Sequence, residues 1–106
     1  MVDAMIYERQ ADAAKAIAHP LRMAILDFLR TEPRCVCDIA GAVGSERSNV
    51  SKHLSIMVSA GVLECRKQGL QVFYKIRTPC VLKCVECLTE CLKEKAAAEQ
   101  KILNPA

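Results

Sequence analysis

The chain has 106 residues, 15 Lys and Arg against 12 Asp and Glu, and a net charge of +3, so it has the size of one domain and is only mildly basic. Hydrophobic residues make up 52% and charged residues 25%, a soluble globular composition, and no run reaches the roughly 18 apolar residues of a membrane span. Seven cysteines is an odd number, and "MVDAMIYERQ" lacks a basic-then-apolar leader, so a disulfide framework fits poorly and we expect a cytoplasmic chain with reduced thiols.

In chain order, the Ala-rich stretch from Asp3 to about Ala18 reads as a helix capped by Asp3, with Ile6, Ala13 and Ile17 near one face. "HPLRMAILDFLR" starts a second helix, with Pro20 in its first turn, where a missing N–H costs nothing. Leu21, Met23, Ile25, Leu26 and Leu29 give this helix a broad apolar face, as a central core helix requires. "CDIAGAVG" predicts a short helix with Ile39, Ala40 and Val43 inward and Gly44 as its stop. In "SERSNVSKHLSIMVSAG", Ser45 is the expected cap, Val50, Leu54 and Met57 recur at i, i+4, i+7, and Gly61 ends the helix.

Two helices joined by a few residues, the second polar on one face, form a helix-turn-helix pattern. "VLECRKQGLQVFYKIR" then predicts a β-hairpin, Val62 to Arg66 and Leu70 to Arg77, turning at Gln68-Gly69. Thr78 is the expected cap, and Pro79 the start, of a last helix to about Lys101. The fold class is therefore mainly α with a β-hairpin, a winged helix-turn-helix in a single domain over residues 1–106.

If Val50, Leu54 and Met57 are buried, the other side of that helix carries Arg47, Ser48, Ser51 and Lys52, with Asn49 and His53 at its margin. Hydroxyl, amide and cationic groups of this kind read base edges and clamp phosphates in a major groove. Arg66 and Lys67 flank the Gly69 turn, which suits a wing lying on the phosphate backbone or minor groove. A solvated helix face and an ordinary charged turn are the plainer reading of each residue alone, and His53 could equally be a packing histidine.

"AHPLRMAIL" at 18–26, "RCVCDIA" at 34–40, "SNVSKHLSIMVSAGVL" at 48–63 and "RKQGLQVFYKI" at 66–76 resemble the ArsR/SmtB family of metalloregulatory repressors. The resemblance covers about residues 14 to 77. It implies a homodimer through the first and last helices, repression at double-stranded operator DNA, and release when a metal or metalloid binds. The family usually has a small capping residue and Gln where this chain has Glu46 and Arg47, so Arg47 would make a phosphate or guanine contact instead.

In arsenic- and cadmium-type members a Cys-Val-Cys-Asp stretch supplies thiolate ligands, and Cys35, Val36, Cys37 and Asp38 match it residue by residue. Soft sulfur donors suit arsenite, antimonite, cadmium and lead. Residues two apart in a helix point about 200° from each other, but to the same side of an extended chain. Both thiols can therefore hold one ion only where the backbone is non-helical or becomes so on binding. A pair also falls short of a three-sulfur site. The missing ligand is expected from Cys65 or the last helix, although Cys65 on its wing strand reads as a packing residue.

Cys80, Cys84, Cys87 and Cys91 fall within a roughly 60° stripe of the last helix. They read either as small hydrophobes of a dimer seam or as ligands. CxxxCxxC within the stripe also matches a radical S-adenosylmethionine cluster motif, but such enzymes need a far longer barrel. No acid–base or nucleophile constellation is visible, so we expect no enzyme and no organic cofactor. The reading is a repressor that releases DNA when arsenite or antimonite binds Cys35, Cys37 and members of the stripe. Cadmium, lead, thiol oxidation or persulfide are the rival signals, and metal sequestration is the rival class.

Overall fold

A computed structural model describes residues 3–103. The expected unit of 1–106 thus extends at both ends outside the described residues. The elements run α1 (Ala4–Lys15), α2 (Pro20–Phe28), β1 (Arg34–Cys35), α3 (Val36–Val43), α4 (Arg47–Ser59), β2 (Leu63–Gln68), β3 (Gln71–Ile76) and α5 (Cys80–Leu103).

Local chemistry explains most of the boundaries. Asp3 caps α1, its carboxylate accepting from the Met5 N–H at 3.0 Å. His19 caps α2, its Nδ1 accepting from the Leu21 N–H at 3.0 Å, and Pro20 follows at the first helical position. At the end of α3, Gly44 takes a left-handed conformation (φ 68°) and its N–H returns to the Ala40 carbonyl, turning the chain into α4. The expected Ser45 cap is not formed. Glu46 occupies the cap position of α4 without a side-chain bond, because the Ser45 hydroxyl instead accepts from the Asn49 amide at 3.0 Å. The Thr78 hydroxyl donates to the Gly61 carbonyl at 3.1 Å, tying the head of α5 to the tail of α4, and α5 begins at Cys80 rather than Pro79.

The core lies where α2, α3 and α4 meet the base of the sheet. Ile25, Leu26, Ile39, Val50 and Leu54 are fully buried, with Met57 and Leu63 closing the cluster. Each such side chain contributes about 1.5–3 kcal/mol on burial. Val50, Leu54 and Met57 point inward, as their i, i+4, i+7 spacing predicts.

The sheet is antiparallel, ordered β1-β3-β2, and has one strand more than the predicted hairpin. Arg34 pairs with Tyr74 and Cys35 with Phe73, so the segment before α3 is stitched to the wing. The hairpin turn is Gly69-Leu70, one residue later than expected, with Gln68 opposite Gln71. Gly69 supplies the positive φ (63°) that a two-residue turn of the II′ kind needs at its first position.

The two terminal helices are less embedded. No residue within α1 is buried, and in the 24-residue α5 only Val81 is. The radius of gyration, 16.9 Å, exceeds the roughly 13 Å of a compact domain of this length. Met5, Ile6 and Tyr7 on α1, and Leu88 and Leu92 on α5, stand at least 49% exposed. Exposed apolar side chains grouped on two helices mark an interaction surface.

Candidate functional site

On α4, Arg47, Ser48, Asn49 and Lys52 are exposed, while Ser51 and His53 are half-buried. With Val50, Leu54 and Met57 turned inward, the outward row is Ser48, Lys52, Ser55 and Ser59. The Asn49 amide is already engaged by Ser45, which holds the side chain against the start of the helix.

His53 is tied inward. Its Nδ1 accepts from Arg22 Nε at 3.1 Å, and its ring lies 4.4 Å from that of His19. Burial first, then the neighbouring His19, Arg22 and Lys52, holds its pKa below the ordinary 6.5, so the neutral acceptor form is favoured. Arg22 also donates through Nη1 to the Lys15 carbonyl at 3.0 Å. One guanidinium therefore joins the end of α1 and the recognition helix to α2. Arg22 was not singled out from sequence; its place three residues after His19 in "HPLR" was the available signal.

On the wing, Arg66 and Lys67 are exposed along β2, while Lys75 on β3 is paired with Glu64 at 3.0 Å. α4 and the wing thus carry, on adjoining elements, cations with no carboxylate partner among the described residues, the distribution that a duplex of phosphates requires.

The thiols divide by place. Cys35 is 6% accessible, the last residue of β1 and the cap residue of α3, with extended backbone (φ −82°, ψ 163°). Cys37 is exposed in the first turn of α3. The backbone thus changes from extended to helical between them. Beside Cys35, the Arg34 guanidinium sits 4.9 Å above the Phe28 ring and pairs with Glu32, steadying β1.

Residues directly opposite in a sheet share a face, so Cys35, Phe73 and Arg66 lie on one side and Arg34, Tyr74 and Cys65 on the other. Cys65 therefore does not meet Cys35. Nor is it packed, as the sequence reading had it: its thiol is exposed, because the hairpin extends past the core by that position. Tyr74 beside it has its pKa raised, by burial first and by the Cys65 thiol second.

Cys80, Cys84, Cys87 and Cys91 are all exposed on α5. The helix turns Val81, Leu82 and Val85 to the body, and the cysteine stripe is centred roughly a third of a turn from them. Cys87 and Cys91 line a shallow hollow with Lys83, Glu86, Glu90 and Glu94. Among the described residues of one chain, no three His, Cys, Asp or Glu side chains come together as a metal site.

Residues 19–64 match the model of bacterial regulatory proteins of the arsR family. An HTH-type transcriptional regulator of Methanocaldococcus jannaschii is 37% identical over 71 residues, which are 66% of this chain and 80% of that protein. The chain belongs to the arsR family. A Mycobacterium tuberculosis HTH-type regulator is 36% identical over 75 residues, 70% of this chain and 66% of its own length. A cadmium resistance regulatory protein, a CadC homologue of Staphylococcus aureus, is 32% identical over 77 residues, 72% of this chain and 64% of its own length. The chain thus spans about two thirds of the length of several curated relatives.

Among solved structures, a homodimeric winged helix-turn-helix DNA-binding domain from Mycobacterium bovis superposes with a TM-score of 0.78 at 28% identity, over 91% of each chain. The antimony-specific transcriptional repressor AntR superposes at 0.77 with 30% identity, over 92% of this chain and 88% of that one. This arsR-family chain is accordingly a winged helix-turn-helix regulator of transcription and not an enzyme. No helix among its described residues is long and apolar enough to cross a membrane.

Proposed function

We propose that this arsR-family chain is a homodimeric repressor that holds operator DNA with α4 and the wing and releases it when arsenite or antimonite binds its cysteine thiolates. One domain does both jobs. Arg47, Ser48, Asn49, Ser51 and Lys52 meet the major groove, Arg66 and Lys67 meet the flanking backbone, and His53 acts chiefly by fixing α4 on α2.

The observation that carries the sensing role is the position of Cys35 at the junction of β1 and α3. For Cys35 and Cys37 to reach one ion, Cys35 must leave its seat against Phe73 or the first turn of α3 must open. The first movement frees β1 from the wing strand β3, and the second shifts the helix packed on α4. Capture of a metalloid there disturbs both DNA-contacting elements together. The third sulfur is assigned to the α5 stripe, Cys80, Cys84, Cys87 and Cys91, from either protomer. The antimony-specific AntR among the structural relatives supports the choice of a pyramidal metalloid.

The test is a fluorescence-anisotropy titration on the DNA upstream of the chain's own gene. Wild type should bind, and arsenite should weaken binding at least about tenfold, within the usual range of allosteric coupling. The Cys35→Ser, Cys37→Ser double variant should bind equally well and ignore arsenite; normal release by that variant defeats the assignment. A second reading rests on the four exposed thiols of α5 and the CadC homologue: the same cysteines respond to cadmium, lead, thiol oxidation or persulfide. Release by cadmium or peroxide but not arsenite would select it.

A further inference from the structure

Among the described residues, the large apolar side chains left exposed lie on α1 and α5 with two exceptions, Ile56 and Leu70. Ile56 is 41% exposed beside a hollow shared with Asp12 and Ala16, so it adjoins the α1 face that a second protomer covers. Leu70 is different. It is the second residue of the wing turn, 102% exposed, on neither of the helices through which a partner docks.

Nothing in the fold asks for leucine there. The turn is made by Gly69, whose positive φ sets the reversal, and no positive φ is taken by Leu70, so a polar residue would serve the turn as well. What surrounds it points outward to a polyanion. Gln68 and Gln71 form the last cross-strand pair beneath it, both exposed, with Lys67 and Arg66 following down β2.

Reach agrees with chemistry. From Leu63, the last buried residue of β2, to the turn is about 20 Å of extended chain at about 3.3 Å per residue. With α4 in a major groove, the next minor groove lies about half of a 34 Å helical turn away, roughly 17 Å. An apolar tip flanked by amides, on a cationic stalk of that length, has the make-up of minor-groove binders. Those read A·T against G·C with Gln or Asn and wedge an apolar side chain between base steps.

We propose that, in the minor groove met by the wing, Leu70 wedges into a base step while Gln68 and Gln71 contact the base edges around it. This rests on the operator-binding role above and adds a specificity determinant to it. The step entered should be a flexible pyrimidine–purine step, TA or CA/TG, because these unstack most readily.

The experiment uses the full chain and a duplex enriched by it from a random pool, with 2-aminopurine placed at the flanking step. Wild type should raise the 2-aminopurine fluorescence on binding, and replacing the step by a stiff A-tract should weaken it about tenfold, the scale of one unsuitable base step. L70A should bind the enriched duplex about tenfold more weakly, lose the fluorescence rise and become indifferent to the A-tract, with non-specific binding unchanged within about twofold. L70M should behave as wild type. Because Leu70 is fully exposed, neither change should move the melting temperature. L70A binding with wild-type affinity and an undiminished fluorescence rise would overturn the wedge, as would a silent 2-aminopurine in wild type. Failure of wild type to enrich any duplex would overturn the operator role itself, and the wedge with it.

Discussion

The two groups of cysteines occupy mechanically opposite regions. Cys35, buried, and Cys37, exposed, lie on the body at a joint where a sheet strand becomes a helix, whereas Cys80 to Cys91 run along a helix that touches the body only near its start. A ligand at the joint must deform a protomer. A ligand on α5 can leave the protomer intact and change how two protomers sit together. In the proposed dimeric repressor, whose DNA recognition depends on the spacing of two recognition helices, either region can govern release, by different means.

The contrast between body and arm is broken most severely by stability measurements. Leu54→Ala removes a fully buried side chain from the meeting point of α2, α3 and α4 and should cost about 2–5 kcal/mol in urea unfolding. Leu92→Ala, at a site 67% exposed, should cost the protomer less than about 0.5 kcal/mol. Equal costs would mean that α5 is as much a part of one protomer's core as α4 is.

A smaller and more selective effect is expected from charge on the arm. Leu88→Glu with Leu92→Glu places carboxylates where the partner is expected to pack, and should weaken the dimer about a hundredfold in sedimentation equilibrium without loss of helical signal. The same variant sharpens the comparison of the thiols. If the joint borrows its third sulfur from the partner's α5, arsenite affinity falls with the dimer; if it borrows from its own, affinity holds.

Much of this architecture was legible in sequence, because helical periodicity and turn chemistry are local signals. Pro20, Gly44 and Val50–Leu54–Met57 each predicted a boundary or a face that the structure has. The strand β1 was not legible. Two residues carry no period, and its partner β3 lies about forty residues away, so only the assembled sheet shows that Cys35 is clamped. The exposure of Cys65 was missed for a related reason: alternation gives a side, but not how far a hairpin runs beyond its core. Ile6 was placed with Ala13 and Ile17 on one face of α1, but spacing gives a face and not its partner, and Ile6 stands 49% exposed.

The smallest expected effect concerns the clasp between α2 and α4. Arg22 reaches His53 only while His53 Nδ1 is unprotonated, and burial together with His19, Arg22 and Lys52 favours that neutral form in the folded chain. The folded state therefore binds fewer protons than the unfolded state between the lowered pKa and the ordinary 6.5. Stability from this source is complete above 6.5, is lost as pH falls through 6.5 toward the lowered value, and changes no further below it. Asn keeps an amide oxygen near the position of Nδ1 but does not titrate, so His53→Asn should melt like wild type at pH 8 and lose less melting temperature between pH 7 and pH 5. An identical acid slope in the two proteins would show that the clasp between α2 and α4 does not depend on the charge of His53.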